Sequence, residues 1–367
     1  MRFFAVHGLI VASVLAFSAT SVVAQTGGFD PNSGSYDVDA PERRGQAGMS
    51  WLQIGGSART EGMGGAAIGI KSEPSLVFYN PAGAASVRGA AVFANITRWP
   101  GDVRVNHFTA LSPLGPVVLG ASFQSVDFGT ITGTVIEDLS DDNRSGYRET
   151  GNVEVGAWTA GLVLASQITD RFNVGVNVKF VVEDFKDTEL YSFVTGQQGY
   201  TDKFNDNRVA VWALDIGTQY NTGLRNLAIN MSFRNLAPTV NYVEQDFDLP
   251  LTYQIGFSFD AIEVITGIAS ERHRLHTEIV GVDKRDVPLD TAIGLEYTAR
   301  LFDSDNDLEV SLRGGRRPAR NQEGQLSVGG GIAGMFAGVR TQFDYSYNDY
   351  GEIFDAHRLS VTVYLDR

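Results

Sequence analysis

Four histidines beyond the first ten residues, His107, His273, His276 and His357, are the side chains best suited to bind a metal or move a proton near neutral pH. His273 and His276 are three apart, so on a strand they face opposite sides and cannot share an ion. His276 and Glu278 do share a face, but two ligands do not make a metal site. A hydrolase would need a serine and a histidine with an orienting third group, and no nucleophile-elbow pattern accompanies His107 or His357. Asp303-Ser304-Asp305-Asn306-Asp307 begins like a calcium loop. It lacks the glycine required next, and Gly314 stands where the bidentate glutamate belongs, so it reads as a solvated turn. Arg313, Arg316, Arg317 and Arg320 remain as a candidate anion- or partner-binding cluster, because guanidinium groups capture phosphates and carboxylates bidentately. The alternative for them is a lumen lining followed by an ordinary solvated loop. Acidic stretches around Asp138, Asp141, Asp142 and around Glu183, Asp184, Asp187 are candidates for surface solvation or divalent ions. No enzyme, metal site or cofactor is expected.

What positions these residues starts with an export signal. Arg2 precedes a short apolar run, GLIVASVLAF at 8–17, and Val22-Val23-Ala24 puts small residues before Gln25. That is the pattern of a secretory signal peptide over residues 1–24, cleaved after Ala24, with an apolar run too short to span a bilayer. Nothing later approaches the ~18 consecutive apolar residues of a transmembrane helix. An exported chain of this kind is either soluble or a barrel. The chain has no cysteine, which removes disulfides and thiolate metal sites, and its net charge of −14 argues against a nucleic-acid partner.

Residues 25–50 are polar, rich in Gly and Pro and aperiodic, and read as a flexible leader. Residues 51–88 follow as an N-terminal segment. From about residue 89 to 367 the dominant signal has period two. In RFNVGVNVKFVV (171–182), Phe172, Val174, Val176, Val178 and Phe180 share one face, with Asn173, Gly175, Asn177 and Lys179 on the other. GVRTQFDYSY (338–347) and RLSVTVYL (358–365) alternate in the same way. Strands are expected at 89–97, 103–111, 115–127, 153–165, 171–184, 208–221, 224–235, 251–260, 273–283, 289–300, 307–316, 325–335, 338–348 and 356–366. That is about fourteen, many with the 9–11 residues a tilted membrane-spanning strand needs.

The connections alternate in length. Counting from a periplasmic start, the odd-numbered ones include three long loops, 128–152, 185–207 and 236–250. Several even-numbered ones are tight, at Ile168-Thr169-Asp170, Thr222-Gly223 and 335–337. Long external loops and short periplasmic turns distinguish an outer-membrane barrel from a soluble sandwich. The connection at 261–272 is longer than its side favours. Trp99, Trp158, Tyr220, Tyr253, Tyr345, Tyr347 and Tyr364 fall near strand ends, at the depth of lipid headgroups. The fold class expected is all-β: an antiparallel transmembrane barrel of the Gram-negative outer membrane, in contact with its lipid.

Ahead of such a barrel, IGGSARTEGMGGAAIGIKSEPSLVFYNPAGAAS (54–86) reads as an internal plug, or hatch. Its glycines permit close backbone approach, and Asn80-Pro81 makes a turn. This stretch resembles the N-terminal signature of the PorV/PorQ family of outer-membrane proteins and, more distantly, of FadL-type transporters. The far end, LRGGRRPARNQEGQLSVGGGIAGMFAGVRTQFDYSYNDYGEIFDAHRLSVTVYL, is similar to that family's last four strands. Two departures are the ending Leu365-Asp366-Arg367, where such barrels often carry an aromatic residue, and Lys71-Ser72-Glu73-Pro74, where an acidic turn is usual. The resemblance implies one of two roles. PorV-like members act in type IX secretion, binding cargo C-terminal domains and docking on a translocon. FadL-like members pass hydrophobic small molecules through a hatch-gated lumen. In either, Gly62, Met63, Gly64 and Gly65 with Asn80, Pro81, Ala82 and Gly83 form the plug or gating motif. The secretion role is the favoured expectation, the hydrophobic-compound channel its alternative, and a structural barrel without substrate a third.

Overall fold

Alternation decides the architecture once it is known which face is covered. A computed structural model describes residues 29–30, 35–36, 47–136, 145–184, 189–192, 200–203, 208–242, 245–270, 272–285, 287–301, 308–317, 325–351 and 354–365. In the strand Phe172–Asp184 the polar row is the hidden one: Asn177 is 1% exposed and its neighbour Val178 is 42% exposed. A soluble sandwich would show the reverse. The inversion recurs around the molecule. Asn95, Gln124, Gln254 and Asp344 are buried, while Ile96, Phe123, Phe257 and Phe343 are open to the surroundings. Apolar outside and polar inside is the pattern of a sheet closed around a lumen in lipid.

Fourteen strands make that sheet: β1 Ala91–Arg98, β2 Arg104–Leu114, β3 Val117–Asp127, β4 Gly156–Thr169, β5 Phe172–Asp184, β6 Arg208–Asn221, β7 Ala228–Leu236, β8 Thr252–Asp260, β9 His273–Lys284, β10 Val287–Arg300, β11 Glu309–Arg317, β12 Gln325–Phe336, β13 Val339–Asp349 and β14 Asp355–Tyr364. Neighbours pair antiparallel, and β14 returns to β1 from His357↔Arg98 to Tyr364↔Ala91, which closes the barrel. Closure matters because an open edge in lipid would leave backbone groups without partners. At about 3.4 Å per residue an eleven-residue strand runs about 37 Å, and tilted by about 40° it crosses roughly 28 Å, near the thickness of a barrel's apolar band. No helix among the described residues is long and apolar enough to cross a membrane.

On the outer face, Trp158, Phe180 and Trp212 form an aromatic cluster on β4–β6, with ring centroids 6.2 and 5.0 Å apart. Phe172 and Tyr220 form a second one near the opposite end of β5 and β6. Along β5 the two clusters are about 27 Å apart at 3.4 Å per residue, as girdles flanking an apolar band would be. Trp99 and Tyr364 are not part of them. Trp99 packs on Tyr350 and Phe354, and the Tyr364 hydroxyl donates to the Ser72 carbonyl at 3.3 Å.

The two ends differ. At one end, connections β3–β4, β5–β6 and β7–β8 carry two-stranded extensions: Ile131–Ile136 with Tyr147–Val153, Glu189–Ser192 with Tyr200–Lys203, and Val240–Tyr242 with Gln245–Phe247. This is called the hairpin end below. The other, the turn end, has tight connections such as Ala337-Gly338, where φ of 51° and 80° makes the two-residue turn that a twisted hairpin favours. It also carries the long connection after β8, which forms a short helix, Ala261–Thr266, capped by Asp260. The expected tight turn at Thr222-Gly223 is wider: Thr222 N–H donates to the Leu227 carbonyl, and β7 starts four residues later than expected. Arg225 and Asn226, both at positive φ, hold that turn.

One irregularity shapes the lumen. Between Leu214↔Leu236 and Ile216↔Phe233 the β6–β7 register slips, so Arg234 and Asn235 together oppose Asp215. Asn235 sits at φ 61°, and its N–H donates to Asp215 at 2.7 Å. A bulge of this kind turns two consecutive side chains to the same side. Met1–Arg44 is a separate compact unit, of which only the pair Phe29–Asp30 with Ser35–Tyr36 is described. The expected signal peptide at 1–24, most of the leader, Asp138, Asp141, Asp142, Asp187, Arg320 and the stretch Asp303–Asp307 lie outside the described residues.

Candidate functional site

The lumen is filled by the chain's own residues 47–88, which run through it from one end to the other. At the hairpin end Gly48 N–H donates to the Asp248 carbonyl, and at the turn end Ser72 meets Tyr364. Local sequence sets the turns between. Ser57 caps a one-turn helix, α1 (Ala58–Gly62), through Thr60 N–H. Glu73 and Asn80 cap 3-10 turns at Pro74–Phe78 and Pro81–Ser86, each with proline in the first position, where its missing N–H is harmless. Met63, Ala66, Ala67, Ile68, Leu76 and Ala82 have no exposed surface.

The two motifs singled out from the sequence both face the wall, and each meets wall glycines. Gly64 and Gly65 adopt φ of 68° and 76°. Met63 and Gly64 lie so close to β11 that a Cβ on Gly315 would stand 2.1 Å from the Met63 carbonyl carbon. Gly62 lies against Gly329. Asn80 lies on β6, where a Cβ on Gly217 would fall 1.9 Å from its Oδ1, and Pro81 lies on Gly175 of β5. The Asn80 amide donates to the Ile68 and Thr218 carbonyls, and its oxygen accepts from Ala82 N–H. Gly83 N–H closes the turn onto the Asn80 carbonyl.

Charged side chains add a second set of contacts, which sequence reading missed. Arg59 of α1 grips Glu296 of β10 with two hydrogen bonds of 2.8 and 2.6 Å, and it also donates to Glu73 at 2.8 Å. Arg313 donates to the same Glu296 at 2.6 Å and pairs with Asp344 at 2.8 Å. Glu278 of β9, with no exposed surface, accepts from the backbone N–H groups of Ile68 and Gly69. Gln219 donates to the Ile68 and Ile70 carbonyls, and Arg234 to that of Phe78. Arg358 donates to the Gly55 carbonyl and to Asn348, which in turn donates to the Glu61 carbonyl. The only hint in the sequence was polarity: charged residues at inward-parity positions of membrane strands need partners.

The arginine run does not form one anion-binding face. Arg313 is 6% exposed and locked to Glu296 and Asp344, Arg317 is on the same inner face with Asp290 at 3.7 Å, and Arg316 points outward. Strand alternation separates residues that helical spacing would have grouped. His276 faces inward and approaches Glu278 at 3.3 Å, while His273 pairs with Tyr297 on the exposed side. Among the described residues no three His, Asp or Glu side chains are grouped to hold a metal. Glu183, from the acidic stretches, accepts from the Trp51 indole N–H at 2.7 Å.

Two cavities flank the plug. One, about 360 Å³, lies at the turn end, lined by Arg274, Arg300, Glu309, Arg340 and Tyr364 among others. The other, about 280 Å³, lies at the hairpin end between Glu61, Tyr79, Trp99, Lys284 and Arg317. Beside it Met49, Trp51 and Leu52 seal against an apolar sector of wall, including Val105, Val126, Val181 and Val209.

Fold and lumen together define a plugged barrel of the outer-membrane type. No protein-family model matches the chain, and no curated protein matches it in sequence. Among solved structures it is similar in fold to the Pseudomonas putida toluene transporter TodX (TM-score 0.55, 11% identity, covering 84% of this chain and 97% of that one). It is similar also to the TodX deltaS2S3 mutant, a monoaromatic hydrocarbon channel (0.52, 11%, 84% and 97%). A Pseudomonas aeruginosa FadL homologue gives 0.50 at 10% identity over 85% and 98%. At such identities the likeness is one of fold.

Proposed function

We propose that the protein is a gated channel of the Gram-negative outer membrane that passes small, largely apolar molecules, with residues 51–88 as the gate. The observation that carries this reading is the way the plug is held. It blocks the lumen with a cavity on either side; its apolar contacts with the wall fall into separate clusters, and between them it is held by polar contacts and glycine-lined backbone approaches that can exchange for water. A structural core would be continuous and apolar. The likeness in fold to a toluene transporter and a monoaromatic hydrocarbon channel supports the same class. In this reading the signal peptide at 1–24 is removed, the hairpin end faces outward and the turn end faces the periplasm.

The chain has no cysteine, so the gate can be tested with a single engineered disulfide. A Cβ on Gly217 would lie 3.0 Å from Cγ of Asn80, which places the two Cβ atoms in disulfide range. In proteoliposomes the Asn80→Cys/Gly217→Cys protein should take up toluene when reduced and lose that uptake when oxidised. Equal uptake in both states would show that the plug does not gate. The resemblance of 54–86 to the PorV/PorQ signature supports a second reading, a secretion accessory that binds a translocon and cargo C-terminal domains. Mild-detergent purification from native membranes separates the two: co-purified translocon favours secretion, and bound small molecules without protein favour the channel.

A further inference from the structure

The hairpin-end cavity carries more positive charge than its own carboxylates match. Arg234 at the β7 bulge, Lys284 at the end of β9 and Arg317 at the end of β11 line it, and Glu61 is the one carboxylate in its lining. Glu61 is already engaged: it accepts from the Tyr79 hydroxyl at 3.0 Å and faces Arg358 at 3.9 Å. Arg317 has Asp290. Among the described residues no carboxylate lies within salt-bridge distance of Arg234 or Lys284. Arg234 spends Nη1 on the Phe78 carbonyl, and its Nε is buried with no hydrogen-bond partner. Unmatched charge in a confined site is destabilising, so a site that keeps it is set up for a ligand's opposite charge.

Three aromatic rings stand in the same lining. Tyr79, Trp99 and Tyr350 all face the cavity, with Arg234 5.6 Å above the Tyr79 ring and Arg358 5.7 Å from Trp99. A volume of about 280 Å³ lies just under the ~300–1,000 Å³ of drug-sized ligand pockets, room for one ring. We infer that this cavity binds a small organic anion, a carboxylate held by Arg234 and Lys284 with a flat body against Trp99 and Tyr350. Beyond the plug, the turn-end cavity is lined by seven cationic side chains, of which Arg59 and Arg313 are held by Glu73, Glu296 and Asp344, and Arg300 and Arg340 share Glu309. Arginine- and lysine-lined constrictions are how pores favour anions. The inference deepens the channel reading and rests on it for the idea that the site lies on a route; binding itself does not depend on transport.

The test is equilibrium dialysis of the purified full-length protein in detergent against benzoate, benzyl alcohol and benzylamine, which share a ring and differ in charge. Benzoate should saturate at one per barrel, with benzyl alcohol and benzylamine at least tenfold weaker. Lys284→Met and Arg234→Gln should each weaken benzoate about tenfold, and Lys284→Arg should keep it within about threefold, as expected for charge-assisted bonds. Benzoate binding no tighter than benzyl alcohol, or unchanged in Lys284→Met, overturns the site. Should the variants fail to fold, the unaltered protein still decides: affinity that does not fall between about 50 and about 500 mM salt overturns it as well. Toluene flux in proteoliposomes separates the two readings. Flux without benzoate binding sinks this site alone, whereas binding without any flux sinks the channel and leaves the site standing.

Discussion

Glu296 is the residue on which plug and wall converge. It receives Arg59 from the plug and Arg313 from β11, with side-chain exposures of 18%, 2% and 3% for Arg59, Arg313 and Glu296. Removing one member of a buried ionic group leaves charge uncompensated, at roughly 3–5 kcal/mol. Glu296→Gln should therefore loosen the plug by about that amount, seen in planar bilayers as conductance where the parent is closed. A closed variant would place the lock elsewhere. Neutralising the whole network, Arg59→Met, Arg313→Met and Glu296→Leu with Glu73→Gln and Asp344→Asn, should restore much of the docking, because neutral replacements of similar volume lose little and no buried carboxylate is left without its arginine. None of this was legible from spacing. Arg59 and Glu296 are 237 residues apart, and the i, i+3, i+4 pattern of Arg313, Arg316 and Arg317 invites a grouping that a strand undoes.

At the scale of elements, β11 offers a matched pair of tests. Gly314 and Gly315 are adjacent, but a Cβ at 314 meets nothing within 4 Å while one at 315 runs into Met63 and Gly64. Gly315→Val should displace the plug and open a leak, and Gly314→Val on the outer face should be silent in the same conductance assay. If both leak, strand damage and not plug contact is the cause. Strand limits were largely readable, since alternation between lipid and lumen persists over each strand's length. The boundary at β7 was misplaced because the turn at 222–227 depends on Arg225 and Asn226 at positive φ, a conformation that residue type alone rarely signals. The β7 bulge was equally silent, although it sets Arg234 beside the cavity.

For the whole molecule, closure into a barrel makes two expectations. The folded protein in SDS should migrate differently from the boiled one, as cooperatively closed sheets resist the detergent; a single band under both conditions would count against the barrel. Orientation can be read with single cysteines. In intact cells a membrane-impermeant maleimide should label Ser145→Cys at the hairpin end and spare Ile265→Cys in the short helix at the turn end, and the opposite pattern would invert the proposed orientation. What the sequence determined by itself was the number of strands, their alternation, the parity of long and short connections and the presence of a glycine-rich segment before them. These are local properties, written at period two and in turn chemistry. Which glycines of the wall receive which residues of the plug, and which charges meet in the lumen, were decided only by the tertiary structure. Closing fourteen strands brings together residues hundreds of positions apart, and no local pattern encodes those meetings.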